Sequence, residues 1–92
     1  MKASGWIDRV KAARGWDSDY RAAKELEIHR STVSVYRSKA DATLDEDTSI
    51  KVAAALGERP EAVLLDQYAE RTKNPEVRSA LSRAARDLCI LC

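Results

Sequence analysis

Apolar residues recur along the chain every three or four positions, the spacing of one face of an α-helix. No segment shows the sustained alternation of a half-buried β-strand. The pattern therefore predicts an all-α fold, a compact bundle of five to six short helices. The longest apolar runs, residues 52–56 and 62–65, are far shorter than the ~20 residues that a membrane-spanning helix needs.

Capping residues, glycines and prolines divide this pattern into helices. Ser4 and Ser18 are N-cap candidates, Gly57 is a stop signal, and proline suits the first turn of a helix. Six helices are predicted: residues 4–13, a second after Ser18, a third over about 30–38, a fourth between Leu44 and Gly57, a fifth from Pro60 and a sixth from Pro75.

The inward face of each predicted helix follows from the same spacing. We expect these positions to face the core: Trp6, Ile7, Val10 and Ala13; Tyr20, Ala22, Ala23 and Leu26; Val33 and Tyr36; Thr48, Val52, Ala53, Ala55 and Leu56; Val63 and Leu64, with Tyr68 a further candidate; Val77, Leu81, Ala84, Ala85 and Leu88.

The chain length of 92 residues fits one domain, residues 1–92, that is only marginally stable alone. Within it we expect a core over residues 4–57 and C-terminal helices over residues 58–92 that provide dimer contacts. Lys2 is not followed by an apolar segment, so no signal peptide is predicted. We expect a cytoplasmic protein without membrane contact.

The net charge of +1 conceals an asymmetry between the two halves of the chain. Residues 1–40 contain nine Lys or Arg and five Asp or Glu, which gives +4, whereas residues 41–92 contain seven and ten, which gives −3. A basic N-terminal half joined to an acidic C-terminal half indicates that one part of the surface meets a polyanion.

The segment 18–37 has the pattern of a helix-turn-helix. Small residues, Ala22 and Ala23, let the first helix cross the second closely, and a three-residue break follows in which Ile28 reaches the core. The next helix has only two large inward residues, Val33 and Tyr36. Its remaining surface is polar and suits the major groove of DNA.

This segment, Ser18-Asp-Tyr-Arg-Ala-Ala-Lys-Glu-Leu-Glu-Ile-His-Arg-Ser-Thr-Val-Ser-Val-Tyr-Arg37, resembles the lambda-repressor/Cro-type (XRE-like) helix-turn-helix family. Residues 44–57 look like the helix that follows the recognition helix in that family, so the resemblance covers about residues 4–66. The combination of Ser-Asp-Tyr, Ser-Thr-Val-Ser and Glu-Asp-Thr is similar to small phage and prophage regulators.

The resemblance implies a role for each matching position, and the chemistry of several residue types agrees with it. Arg pairs with guanine, Ser bonds to several bases, and a valine methyl can meet a thymine methyl. The implied base-reading residues are Arg30, Ser31, Ser34 and Val35. The expected contacts to the DNA backbone are Ser18, Arg21, Thr32, Arg37, Lys39 and Thr43, where the basic residues neutralise phosphates. His29 takes the cap position before the recognition helix.

Three features depart from the family pattern, and one of them is the loop after the third helix, where Ser38 and Lys39 stand in place of a common glycine. Glu27 stands where the turn commonly has a glycine, and a left-handed conformation there costs a non-glycine residue ~1 kcal/mol. Asp19 opens the second helix where the family often has Gln facing phosphate. Asp favours the helix dipole but repels DNA, so the phosphate contact would pass to Ser18, to backbone N–H groups or to Arg21.

The apolar end of the chain is expected to pack on the body or on a second subunit. The predicted dimer residues are Val77, Leu81, Leu88, Ile90 and Leu91. We expect Cys89 and Cys92 to be reduced thiols, because a disulfide framework has more cysteines distributed along the chain. No metal site, cofactor or catalytic residue is predicted, since the single His29 lies in the turn and zinc takes four ligands.

These observations predict a sequence-specific regulator of transcription that binds double-stranded DNA as a homodimer, a phage or prophage repressor rather than an enzyme. Bound to its operator, it would be nucleoid-associated. An alternative is a protein-interaction module, antitoxin-like or bound to a phage or host protein, that keeps the helix-turn-helix as a scaffold. A purely structural bundle is a third reading. The polar outer face that carries Arg30, Ser31 and Ser34 favours the first.

Overall fold

A computed structural model describes residues 1–90 of the chain. Leu91, a predicted dimer residue, and Cys92 lie outside the described residues. The predicted all-α fold is confirmed, because residues 1–90 form helices and connections without a β-strand. The six helices are α1 Ala3–Arg14, α2 Asp19–Leu26, α3 Arg30–Ser38, α4 Glu46–Leu56, α5 Pro60–Arg71 and α6 Pro75–Leu88.

The main core lies among α1–α4 and the inner side of α5. Helix α1 packs on α2, α3 and α4, and α5 packs on α4. Most of the inward residues predicted for the first four helices are buried there, and Trp16, in the connection after α1, joins them. The largest fully buried apolar side chains are Ile7, Val10, Leu44, Val52 and Val63.

The helix ends mostly fall where the local signals place them. Ser18 caps α2 and accepts a hydrogen bond from the Arg21 N–H, Gly57 ends α4 with a left-handed φ of 74°, and Pro60 occupies the first turn of α5. The Ser4 cap is wrong. Helix α1 begins at Ala3 with Lys2 at the N-cap and no side-chain cap bond, because Ala3 is fully buried and its N–H donates to the Ala42 carbonyl oxygen at 2.8 Å.

Four residues expected in the core are exposed, and Val77 of α6 is one of them. Ala13 faces solvent, and Tyr20 and Tyr68 are 60% and 56% exposed. Tyr20 lies two residues before Ala22, and since two residues turn a helix by about 200°, burial of Ala22 directs Tyr20 outward. In α5 the fully buried polar side chain of Gln67 takes the inward position beside Tyr68.

Gln67 is a buried side chain that forms hydrogen bonds inside the core, which the apolar pattern did not predict. Its Oε1 accepts the Leu44 N–H at 2.7 Å, and its Nε2 donates to the Met1 carbonyl oxygen at 2.7 Å. The Arg71 guanidinium donates to the Leu44 carbonyl oxygen at 2.9 Å. Both backbone groups of Leu44 are thereby paired with side chains of α5, so the segment between α3 and α4 is attached to the C-terminal half.

Helix α6 forms a hairpin with α5 and packs chiefly against it. Ala85 is buried in this contact, and the Glu58 carboxylate accepts the Ile90 N–H at 2.6 Å beyond the helix end. Cys89 is disulfide-bonded, so the expectation of a reduced thiol at this position is wrong. That expectation rests on the number and distribution of the cysteines, which does not determine the oxidation state of one particular thiol. Across residues 1–90, no helix combines the length and the apolar character that crossing a membrane requires.

Candidate nucleic-acid interface

The turn between α2 and α3 spans three residues, as predicted. Glu27 ends α2 in the left-handed region with φ of 57°, the conformation expected at this position. The ammonium group of Lys51, in α4, donates a hydrogen bond to the Glu27 carbonyl oxygen at 2.9 Å. The strained residue is therefore tied to α4 through its backbone.

His29 caps α3, as predicted. Its ring Nδ1 lies 3.3 Å from the Ser31 backbone nitrogen and accepts that N–H. The same Nδ1 lies 2.8 Å from the Ser31 hydroxyl oxygen. The cap therefore involves both polar groups of Ser31 and orients its hydroxyl.

Two side chains fix α3 to the body of the protein. Val33 and Tyr36 are buried, which confirms the predicted inward pair. The Tyr36 hydroxyl donates to the Asp45 carboxylate at 3.1 Å, and burial raises the pKa of Tyr36. Asp45 is the N-cap of α4, so this bond joins the last turn of α3 to the start of α4.

The opposite face of α3 is open to solvent. The four predicted base-reading residues are all exposed: Arg30, Ser31, Ser34 and Val35. An open depression of about 380 Å³ lies between this face and the start of α2. Its lining combines Arg30, Ser34, Arg37 and Ser38 of α3 with Asp19 of α2 and the edge of Val33.

The predicted DNA-backbone residues lie at the ends of α2 and α3 and in the connection after α3. Arg21 and Lys39 are exposed, and Lys39 is the C-cap of α3. Ser18 and Thr32 are half-buried. Thr43 is half-buried as well, and its hydroxyl lies 3.4 Å from the Arg71 guanidinium, which adds a cation to this end that sequence reasoning did not include.

Arg37 is held by two carboxylates. Its Nε and Nη2 donate to the two oxygens of Asp19 at 2.9 and 2.8 Å. Nη2 also donates to Asp8 at 2.7 Å, and Lys11 donates to Asp19 at 3.0 Å. We call Asp8, Lys11, Asp19 and Arg37 the clasp. It joins α1, α2 and α3, and it gives the predicted phosphate contact at Arg37 two competing partners.

The clasp stabilises the charged forms of Asp8, Asp19 and Arg37. The hydrogen bonds from Arg37 and from Lys11 hold the pKa of Asp19 well below its usual range. The Arg37 bond also lowers the pKa of Asp8, while the two carboxylates raise the pKa of Arg37, Asp19 most strongly. Asp8, Asp19 and Arg37 are therefore charged at neutral pH, and the formal charges of the four clasp residues sum to zero.

Sequence reasoning missed a contact between Tyr20 and Arg30. The Arg30 guanidinium carbon lies 5.5 Å from the centroid of the Tyr20 ring, within the range of a cation–π interaction. The sequence contains a signal for this contact, because an inward Ala22 places Tyr20 on the opposite face of α2. A tyrosine therefore lies beside the first predicted base-reading residue.

Of the predicted dimer residues that the structure describes, Val77, Leu81 and Leu88 lie on α6 and Ile90 lies just beyond it. Helix α6 does not contact α3. Val77 and Ile90 are exposed, and Leu81 and Leu88 are half-buried. In the part of the chain that the structure describes, no group of three or more His, Cys, Asp or Glu side chains is arranged to hold a metal ion. Comparison of the chain with protein-family models, curated proteins and solved structures found no match.

Proposed function

We propose that this protein is a sequence-specific transcriptional regulator of the phage or prophage repressor kind, in which α2 and α3 form a helix-turn-helix. The observation that carries the proposal is the construction of α3. Val33 and Tyr36 are buried, whereas the outer face with Arg30, Ser31 and Ser34 is exposed. A helix held by two residues and otherwise open can enter the major groove with little rearrangement.

The size of the exposed side chains supports the same proposal. Ser31 and Ser34 are short, so the axis of α3 can come close to base edges, and Arg30 at the N-terminal end can reach guanine O6 and N7. The resemblance of residues 18–37 to the lambda-repressor/Cro type supports this orientation. Arg21 in α2 and Lys39 at the end of α3, both exposed, would neutralise phosphates.

Selection of bound DNA from a random pool tests the proposal. The wild-type protein should enrich an inverted repeat, and Arg30→Ala should lose ~1–3 kcal/mol of affinity at that site and relax the choice of one base pair. Arg83→Ala removes the same charge from an exposed position on α6 and serves as the matched control. Enrichment of no sequence by a folded protein would favour the interaction-module alternative.

The regulator would act as a homodimer through α6. This helix packs chiefly against α5. Val77 on α6 and Ile90 just beyond it are exposed, and a second subunit would cover these apolar side chains. A two-fold dimer would place its recognition helices about 34–36 Å apart, one turn of DNA. Leu81 and Leu88, half-buried against α5, would complete the contact.

Sedimentation of charge variants tests the dimer. Val77→Glu should weaken it, because the contact would have to bury an unpaired carboxylate. Ser79→Glu places the same charge about 200° around α6, at another exposed position, and should leave the mass unchanged. A monomeric wild-type protein, or equal effects of the two variants, would contradict a dimer through this face.

A further inference from the structure

Tyr20 and Arg30 belong to different helices, yet they form one unit on the exposed surface. Tyr20 lies in the first turn of α2 and is 60% exposed. Arg30 is the first residue of α3, and its guanidinium carbon lies 5.5 Å from the tyrosine ring centroid. Burial does not explain the position of this ring, since most of its surface is in solvent.

The two arginines of α3 have different partners. Arg37 is bound by Asp19 and Asp8, whereas Arg30 forms no ion pair within residues 1–90 and has the Tyr20 ring beside it. A ring attracts the cation through its face and leaves the N–H donors of the guanidinium edge available. A carboxylate would occupy those donors, which are the groups that pair with guanine.

We propose that Tyr20 is a specificity-determining residue that positions Arg30. This inference rests on the proposed function. A long arginine side chain loses rotamer freedom when it pairs with a base, and a ring that already holds its guanidinium reduces this loss. Because the paired geometry is favoured only when guanine presents both acceptors, the ring increases discrimination at one base pair rather than affinity for DNA in general.

The test measures binding of the full-length protein to its selected site and to the same site changed at the base pair that Arg30→Ala identifies. Tyr20→Leu keeps an apolar side chain but has no π face, and Tyr20→Phe keeps the ring without the hydroxyl. Tyr20→Leu should reduce the ratio of the two affinities about two- to fivefold, as expected for an exposed cation–π contact. Tyr20→Phe should keep the ratio.

A double-mutant cycle assigns the effect to the pair. In the Arg30→Ala background, Tyr20→Leu should not change the ratio further. Tyr20 is mostly solvent-exposed, so the variants should remain folded, and circular dichroism checks this. The inference is wrong if Tyr20→Leu leaves the ratio unchanged, or if the effect persists without Arg30.

Two other results separate the possible failures. An equal loss of affinity for both sites, shared by Tyr20→Phe, would mean that the Tyr20 hydroxyl contacts phosphate, and the inference would be overturned while the proposed function stood. If the wild-type protein selects no sequence, the proposed function and this inference are both wrong.

Discussion

Substitution of Asp19 by Asn should increase binding to non-specific DNA. Asp19 accepts two of the three hydrogen bonds by which Arg37 is held, and an amide in its place would keep the shape but not the charge. The remaining partner, Asp8, has a side chain that is 62% exposed and is well screened by water. We therefore expect Arg37 to exchange this partner for a DNA phosphate.

The expected magnitude follows from the number of phosphate contacts. The clasp is partly exposed, with 37% of the Asp19 side chain and 32% of the Arg37 side chain accessible, so each ion pair contributes at most about 1 kcal/mol to folding. One additional phosphate contact steepens the dependence of log affinity on log salt by ~0.9. Between about 50 and 200 mM salt, a fourfold rise, the advantage of Asp19→Asn should shrink about 3.5-fold.

Titration of a labelled random-sequence duplex at several salt concentrations measures this slope. Asp17→Asn is the matched control, because Asp17 is exposed, lies two residues from Asp19 and does not bond to Arg37. It removes one negative charge nearby and leaves the clasp intact. A second control repeats Asp19→Asn in the Arg37→Ala background, where no guanidinium can be released.

Two results would refute the reasoning. Equal gains for Asp19→Asn and Asp17→Asn with unchanged slopes would show a general effect of charge. A steeper slope for Asp19→Asn that persists after Arg37→Ala would show that another group makes the new contact. In either case the clasp would brace α1, α2 and α3 without regulating access to DNA.

Three further predictions concern single residues. Lys39→Ala should weaken binding to all sequences and reduce the salt slope by ~1; an unchanged slope would exclude Lys39 from the phosphate contacts. Glu27→Gly should raise the free energy of unfolding by up to about 1 kcal/mol, because φ of 57° strains a non-glycine residue, whereas Glu25→Gly within α2 should lower it by about 1 kcal/mol; urea denaturation compares them. Arg37 holds the pKa values of Asp8 and Asp19 below 3.8, so their stabilisation is present above about pH 4 and is lost as the pH falls. Urea denaturation at about pH 6 and pH 3 should show a smaller loss of stability for Arg37→Ala than for wild type, and equal losses would contradict this.

Features that depend on a few neighbouring residues could be predicted from the sequence. Ser18 and His29 cap their helices because their side chains accept a backbone N–H of the first turn. Gly57 ends α4 because it adopts a left-handed conformation there. The left-handed conformation at Glu27 was also expected, because the helix-turn-helix family that residues 18–37 resemble commonly has a glycine at this position of the turn. Burial of Val33 and the exposure of the outer face of α3 follow from helical spacing.

Features that join distant segments could not be predicted. Gln67 pairs with the Leu44 N–H, 23 positions away, and helical spacing identifies a buried position without identifying its partner. Arg37 was assigned to phosphate because its charge suits phosphate, but its actual neighbours depend on how α1 and α2 approach α3. Apolar spacing predicts an inward Tyr20 because its position approximately fits the core face of α2. Its side chain lies on the outer face instead.

The clasp changes how the basic half of the chain should meet DNA. Two cations and two carboxylates cancel within it, so the +4 of residues 1–40 is carried by other side chains, among them the exposed Arg21, Arg30 and Lys39. Few strong phosphate contacts imply weak non-specific binding and a shallow salt slope. Under the proposed function, discrimination would then come from base contacts at Arg30 and from the geometry of two recognition helices. Loss of the proposed dimer should therefore reduce specificity more than loss of any one phosphate contact.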